Sequence, residues 1–222
     1  MWITLTTFNR IEKTMESIEM LLKTNFPSNT NLIITDDRST DKGMIDYLSE
    51  VSKRNIPNLK IELILHGNHL GCDKNITNAI YYCLSRTKDH FILVLDNDTI
   101  YGSGWLDKLL EIGDKLLREN KPIAAISVFN ASRTHGFIGK YNDEIGIKSS
   151  LGGFCVLINR ILFETYDFRT PLWKMGWDWN MCHASEELKL SFYCTYKSWV
   201  DHMRGWGTHG SDGDNGENFI GV

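Results

Sequence analysis

The feature that most constrains the fold is the apolar run at residues 91–95, which leads directly into Asp96-Asn97-Asp98. A short run that is apolar throughout predicts a strand buried on both faces, at the centre of a parallel sheet. In open α/β sheets, ligands bind beyond the carboxyl ends of the strands. Two carboxylates one residue apart repel each other, and a cation beside them offsets this repulsion. A hard divalent ion is the natural partner of such a pair. The run therefore predicts a site at Asp96 and Asp98.

Length and composition favour one large α/β domain or two closely joined halves, since 222 residues can enclose an ample core. The net charge of −4 gives no basic field for nucleic acid, although a local basic patch is left open. No apolar run approaches the ~20 residues that span a bilayer, and the chain begins in a strand pattern, so we expect no secretory leader. We therefore expect a cytoplasmic protein, with a peripheral position at a membrane left open. The five cysteines are odd in number and lack a Cys-x-x-Cys pair, which favours buried thiols over a disulfide framework or zinc site.

The first part of the chain alternates strand and helix patterns. Strands are predicted at residues 2–6, 31–35 and 60–65, and each precedes an amphipathic helix. We expect Ser39, Thr40 or Asp41 to cap the second helix. The alternation predicts right-handed crossovers on a mostly parallel sheet, so that the polar turns converge on one edge. Neither a Gly-x-Gly-x-x-Gly motif nor a P-loop follows the first strand, which argues against NAD enzymes and P-loop kinases.

The second part continues with a helix after Gly104 and a strand at 123–129. Residues 130–148 are predicted to form an extended loop or short hairpin, where structure specific to the substrate is expected. Further strands are predicted at 152–158 and 192–200, with a helix running from Asp178 to about residue 190.

Polar motifs stand at the ends of the first four strands: Thr6-Thr7-Phe8-Asn9-Arg10, Asp36-Asp37 with Ser39-Thr40-Asp41, Asn68 and Gly71 before Lys74-Asn75, and Asp96-Asn97-Asp98. Together, over residues 2–101, they resemble the nucleotide-sugar half of the family 2 glycosyltransferases of the GT-A fold. The resemblance implies an α/β fold with a mostly parallel central sheet flanked by helices. It also implies a nucleoside diphosphate sugar, usually UDP-linked, whose diphosphate is held by Mn²⁺ or Mg²⁺.

Matched by position, the residues that the resemblance implies in nucleotide-sugar binding are Thr6, Phe8, Asn9, Asp37, Lys74, Asp96, Asn97 and Gly153. Asp37 would accept from the ring N–H of the base, and Phe8 would offer a stacking face. Lys74 stands where the family often has arginine, so it supplies charge without a planar fork. Gly153 would lie beneath the donor sugar, with a glycine bulge as the alternative explanation.

Asp98 and His202 match metal-binding positions of the family, with His209 as a rival for His202. Asp178 matches the acid of the family's Glu-Asp motif, although Trp177 replaces the glutamate. We expect Asp178 to be the catalytic base, and a helix N-cap is the alternative.

Tryptophans surround this acid, and Trp177, Trp179 and Trp206 could form a sugar or acceptor platform, because indole faces pack against sugar C–H groups. Core anchors are the alternative. Residues 205–222 are rich in glycine and predict either a lid over the site or a flexible tail.

The sequence thus predicts a nucleotide-sugar-binding half at 1–101, an acceptor-binding and catalytic half at 102–204, and the tail. The expected function is metal-dependent, inverting transfer of a sugar to a hydroxyl acceptor, such as a glycan. One alternative is a metal-dependent phosphohydrolase of the haloacid dehalogenase type, with Asp96 as nucleophile and Asp98 as acid. Another is a non-catalytic, transferase-like module that binds carbohydrate.

Overall fold

A computed structural model describes residues 1–169, 176–203, 216 and 218–221. Its strands are β1 (Trp2–Thr7), β2 (Thr30–Asp36), β3 (Leu59–Leu65), β4 (Phe91–Asp96), β5 (Thr99–Tyr101), β6 (Ile123–Ser127), β7 (Phe137–Lys140), β8 (Ile145–Lys148), β9 (Val156–Asn159), β10 (Ser191–Thr195) and β11 (Val200–His202). Its helices are α1 (Ile11–Leu21), α2 (Met44–Val51), α3 (Cys72–Leu84), α4 (Trp105–Arg118), α5 (Ile161–Thr165) and α6 (Trp177–Glu187). None of these helices is long and apolar enough to cross a membrane.

The main sheet has the strand order β3-β2-β1-β4-β9-β6-β10-β8-β7. Strands β1 to β4 are mutually parallel, and β6 is parallel to β10. Within this described sheet, only β9 and β8 run against the other strands. The prediction of an α/β fold with a mostly parallel sheet is confirmed.

Strand β4 lies inside the sheet, between β1 and β9, and is buried on both faces as predicted. Leu93 and Leu95 belong to a hydrophobic cluster with α1, α2 and α4, whereas Val94 packs on the other face with α3 and α6. Fully burying an aliphatic side chain of this size contributes roughly 1.5–3 kcal/mol. The packing fixes the strand, and therefore the point at which Asp96 leaves it.

The strand predicted at 192–200 is wrong in its extent, because the chain forms β10 and β11 in two different sheets. Between them the Thr195 hydroxyl donates to the Lys197 carbonyl at 2.6 Å, which closes a turn. Strand β11 then pairs with β5 in a separate two-stranded sheet. The segment at 130–148 contains the hairpin alternative, β7 and β8, and the strand predicted from residue 152 begins only at Val156.

Two local predictions are corrected. Asp41 does not cap the helix that follows it, because α2 has Gly43 at its N-cap position; the Asp41 carboxylate instead accepts from the Ile11 backbone N–H of α1 at 3.1 Å. Burial of all five thiols is also wrong, since Cys72 is exposed.

Candidate active site

The two-stranded sheet formed by β5 and β11 places His202 next to Asp98. In the pairing of β5 and β11, His202 lies opposite Thr99, and the Met203 backbone N–H donates to the Asp98 carbonyl at 2.8 Å. His202 Nδ1 consequently lies 3.6 Å from Asp98 Oδ1. The imidazole is stacked on Phe154, with ring centroids 3.5 Å apart, so its orientation is fixed by packing. The structure therefore brings together the two residues that were predicted as metal ligands.

Arg10 also belongs to this site, although sequence reasoning gave it no role. Its guanidinium donates from Nη1 to Asp98 Oδ2 at 3.0 Å and from Nη2 to Asn97 Oδ1 at 2.8 Å. Arg10 has φ 58°, in the left-handed region that non-glycine residues seldom occupy. The planar fork of arginine suits two acceptors on neighbouring residues. Arg10 is the last residue of the motif Thr6-Thr7-Phe8-Asn9-Arg10 that follows β1, and this position was the sequence feature that could have identified it.

The two aspartates of this turn differ in their electrostatic environment. Burial opposes ionisation of Asp98, but the polar contact with His202 and the charge of Arg10 outweigh it and lower the pKa of Asp98. Burial, followed by the negative charge of Asp98, raises the pKa of Asp96 to about 7. Asp98 is therefore the carboxylate that is fully ionised at neutral pH and suited to a cation.

Asp37 is buried under the loop that precedes α3. Its carboxylate accepts from the backbone N–H groups of Leu70 at 2.6 Å and Gly71 at 2.9 Å, and His69 Nδ1 lies 2.9 Å away. The His69 ring lies against Phe8, with centroids 4.5 Å apart. Asp37 and Phe8 are thus joined through His69, a residue that sequence reasoning missed. The motif Asn68-x-x-Gly71, which contains His69, was the sequence feature that could have identified it.

The remaining residues predicted for the nucleotide sugar lie around the same strand ends. Asn9 Oδ1 accepts from the Thr40 backbone N–H at 2.7 Å, so this side chain braces the loop after β2. Thr6 is buried at the end of β1, and Lys74 is exposed on the first turn of α3.

Asp178 lies in the first turn of α6, where its Oδ1 accepts from the Trp179 backbone N–H at 2.8 Å. The N-cap position belongs to Gly176. An acceptor for this helix end comes from α3, because the Trp177 backbone N–H donates to Asp73 Oδ1 at 3.2 Å. Asp73, which the sequence did not single out, therefore ties the helix that carries Asp178 to the first half of the chain.

Gly153 and Trp177 are in close contact. A Cβ at Gly153 would lie 2.3 Å from Trp177 Cζ2, so the indole occupies the space that a side chain would need. Trp177 is 6% exposed and belongs to the core, whereas Trp179 is 43% exposed. Of the two predicted platform tryptophans that the structure describes, only Trp179 presents a large face to solvent. Trp206, His209 and most of the tail at 205–222 lie outside the described residues.

Charges from both halves of the chain converge beside Cys72. Cys72 is exposed as a residue, but partial desolvation of its sulfur raises the pKa of the thiol to about 12, and the negative charges of Asp96, Asp73, Asp178 and Asp37 add to the effect. Strand-end acids and the predicted base therefore lie within electrostatic reach of one another. The structure brings the two predicted halves together at one edge of the sheet.

A cavity of about 200 Å³ opens in the second half of the chain, with a described lining drawn from residues 127–202. Its described lining includes Asp178, His202, Phe154, Gly152 and Lys148. The predicted base and the predicted metal-binding histidine therefore face the same cavity.

Asp98 and His202 are a chemically suitable pair for Mn²⁺ or Mg²⁺. Two ligand atoms that each lie ~2.1 Å from one ion, at an angle of about 90–120°, are roughly 3.0–3.6 Å apart. The observed separation of 3.6 Å falls in this range. Within the described part of the chain, no three His, Cys, Asp or Glu side chains form a metal-binding group. Further ligands would come from outside this part of the chain, from a bound substrate or from water.

Comparison with known proteins agrees with this architecture. The family model described as "Glycosyl transferase family 2" matches residues 2–174. No curated protein matches the sequence.

Solved structures resemble the chain at low sequence identity. A mannosyltransferase from Pyrobaculum calidifontis, in complex with GDP-Man and Mn²⁺, has 14% identity and a TM-score of 0.58, over 84% of this chain and 51% of that one. Residues 1–349 of S. aureus TarS, in complex with UDP-GlcNAc, have 14% identity and a TM-score of 0.63, over 94% and 59%. GalNAc-T7, with UDP, GalNAc and Mn²⁺, has 12% identity and a TM-score of 0.65, over 98% and 44%. The chain thus spans about half the length of these proteins.

Proposed function

Because the chain belongs to glycosyl transferase family 2 and has the GT-A fold, we propose that it transfers a sugar from a nucleoside diphosphate sugar to a hydroxyl acceptor. We further propose that transfer depends on a divalent cation and inverts the configuration at the anomeric carbon. Residues 1–101 would bind the donor, and residues 102–204 would supply the acceptor side.

One observation carries the proposal: Asp98 Oδ1 lies 3.6 Å from His202 Nδ1, and His202 lines the same cavity as Asp178. Asp98 comes from the donor half and His202 from the acceptor half. A ligand held by this pair would therefore have the predicted base beside it.

In the proposed reaction, Asp178 accepts the proton of the acceptor hydroxyl as the oxygen attacks the anomeric carbon. Attack comes from the face opposite the diphosphate, so no covalent intermediate with the protein is required. Arg10 holds Asp98 in place, and Phe154 fixes the ring of His202. A divalent ion at Asp98 and His202, when bound, supplies positive charge for the departing diphosphate.

On the donor side, Phe8 stacks on the base, and Asp37 accepts from its ring N–H. In the structure the Asp37 carboxylate already accepts from Leu70 and Gly71. A carboxylate has about four acceptor sites, so these two hydrogen bonds leave room for a third donor. Asp37 is only 1% exposed, however, so direct readout of the base requires the residues that cover it to move when the nucleotide binds. We propose UDP as the nucleotide, because the strand-end motifs resemble those of UDP-sugar enzymes.

The test is release of the free nucleotide from a panel of UDP- and GDP-sugars, with Mn²⁺ or Mg²⁺ and without an added acceptor. Slow release of UDP that stops in excess EDTA is the expected result. Release of phosphate from simple phosphate esters would favour the phosphohydrolase alternative. Binding of UDP-sugars without turnover, even with a panel of sugar acceptors, would favour the non-catalytic module.

A further inference from the structure

His69 already makes the two contacts that the proposed reaction assigns to the nucleobase. Its imidazole ring lies against Phe8, with ring centroids 4.5 Å apart and ring planes 31° from each other. Its Nδ1 lies 2.9 Å from Asp37 Oδ2. The base is proposed to stack on the same Phe8 ring and to donate from a ring N–H to the same carboxylate. A side chain of the protein therefore holds both positions.

The contact of His69 with Asp37 is that of a ring N–H donor. His69 Nδ1 also lies 3.3 Å from the Asp37 carbonyl oxygen. A carbonyl and an ionised carboxylate only accept hydrogen bonds, so we assign a proton to Nδ1. Uracil and guanine likewise present a flat ring with an N–H group on its edge. The imidazole thus resembles such a base in both shape and polarity.

His69 is the donor on Asp37 that a base would have to replace. Asp37 is 1% exposed, so a ligand does not reach its carboxylate while the present cover stays in place. The backbone N–H groups of Leu70 and Gly71 can remain bound, because a carboxylate has about four acceptor sites. A base that stacks on Phe8, by contrast, needs the volume that the imidazole now fills.

The His69 side chain can leave without a change in the loop that carries it. The His66 backbone N–H, at the start of this loop, donates to the Asp36 carbonyl at 3.0 Å. The Gly71 backbone N–H, at its end, donates to the Asp37 carboxylate at 2.9 Å. The His69 side chain itself is 53% exposed. Rotation about its side-chain bonds would take the imidazole into water, a fast motion for an exposed side chain, and would break neither backbone hydrogen bond.

We propose that the His69 imidazole occupies the nucleobase position in the free protein, and that the base of a nucleoside diphosphate displaces it on binding. The inference rests on the proposed transferase function and adds a residue that sets the affinity for the nucleotide. When a site is open in only a fraction of the molecules, the apparent affinity falls by that fraction. His69 therefore weakens nucleotide binding. The displaced contacts also define the ligand, which is a flat ring with an N–H on its edge.

Calorimetric titration with UDP tests the effect on affinity in the wild type and in His69→Ala. Removing the competing ring should raise the UDP affinity roughly 3- to 30-fold, as expected if the open form is about 3–30% of the wild type. The gain should be the same with Mn²⁺ and in excess EDTA, because His69 covers the base position and not the cation site. His90→Ala is the matched control, since His90 is exposed and precedes β4, at the end of that strand opposite Asp96. It should leave the affinity unchanged.

NMR tests the displacement itself, with Mg²⁺ in place of the paramagnetic Mn²⁺. The His69 ring signals are assigned by their loss in His69→Ala. A nuclear Overhauser effect between the rings of His69 and Phe8 should be present in the free protein and absent with saturating UDP.

Three results would overturn the proposal. An unchanged UDP affinity in His69→Ala would show that the ring does not compete with the base, and a lower affinity would make His69 part of the platform for the base. Persistence of the Overhauser effect between His69 and Phe8 with bound UDP would show that the ring is not displaced. Failure of the transferase function would look different, with no UDP binding to the wild type or to either variant.

Discussion

The carboxylate of Asp73 accepts a hydrogen bond from the Trp177 backbone N–H at 3.2 Å, across 104 residues of sequence. Asp73 lies in the first turn of α3, and Trp177 begins α6. The contact therefore joins the start of a donor-side helix to the start of the helix that carries Asp178. Because the first N–H groups of a helix have no partner within it, an outside acceptor both satisfies and positions them.

Removing this acceptor should affect turnover more than donor binding. A lost helix-end acceptor costs about 0.5–2 kcal/mol, so Asp73→Ala should lower kcat by roughly 2- to 30-fold through displacement of Asp178. Asp73→Asn keeps an acceptor oxygen and is the matched control. Steady-state UDP release, with UDP affinity measured separately, tests the prediction. An alanine variant with unchanged kcat would show that the contact does not position the base.

Asp178 should be needed for chemistry and not for donor binding. Asp178→Asn should lower turnover by roughly 10²–10⁴-fold, the usual contribution of a general base, while calorimetry shows near-normal affinity for UDP-sugar. Glu186→Gln, an exposed position on the same helix, should change neither quantity. Loss of donor binding in Asp178→Asn would instead make Asp178 a donor ligand.

Gly153 should tolerate no side chain. Alanine would place Cβ 2.3 Å from the Trp177 ring, so the indole or the backbone must shift. We expect Gly153→Ala to lower the free energy of unfolding by about 1–3 kcal/mol, measured by urea denaturation. Gly136→Ala is the control, since its Cβ would have no neighbour within 4 Å. Equal stability of the two variants would mean that the Trp177 contact is not tight in solution.

Arg10 should stabilise the protein more than a surface arginine does. Arg10→Leu leaves the largely buried Asp98 carboxylate without its cation, which should cost roughly 1–3 kcal/mol of unfolding free energy. Arg54, whose partners Glu19 and Glu50 are more exposed, is the comparison, and Arg54→Leu should cost at most about 1 kcal/mol. Mn²⁺ together with UDP should reduce the Arg10→Leu deficit, because the ion restores positive charge beside Asp98. A deficit no larger than that of Arg54→Leu would contradict this role.

Local patterns in the sequence predicted much of the fold. The apolar run before Asp96 identified the central strand, since a strand covered on both faces needs no polar alternation. The alternation of strands and helices predicted the parallel part of the sheet. The break between β10 and β11 was missed because it depends on a side-chain hydrogen bond, from Thr195 to the Lys197 carbonyl, that leaves no mark on hydrophobic periodicity.

Residues that act through distant partners were harder to predict. Asp41 has a favourable capping position before α2, yet it binds the N-terminus of α1, because the loop after β2 folds back over the end of β1. Arg10 and Asp73 have partners 87 and 104 residues away. No rule of sequence spacing predicts such pairs, because the two residues come together only in the folded protein. The resemblance of the strand-end motifs did pair Asp98 with His202, since it carries information about tertiary position.

The central claim is that Asp98 and His202 together hold the cation that binds the donor diphosphate. Calorimetric titration of UDP, with and without Mn²⁺, tests it directly in the wild type, Asp98→Asn and His202→Ala. The account predicts that Mn²⁺ raises wild-type UDP affinity at least about tenfold, and that each variant loses this gain while still binding UDP weakly without metal. An undiminished gain in Asp98→Asn, or wild-type affinity that is the same in Mn²⁺ and in excess EDTA, would contradict it.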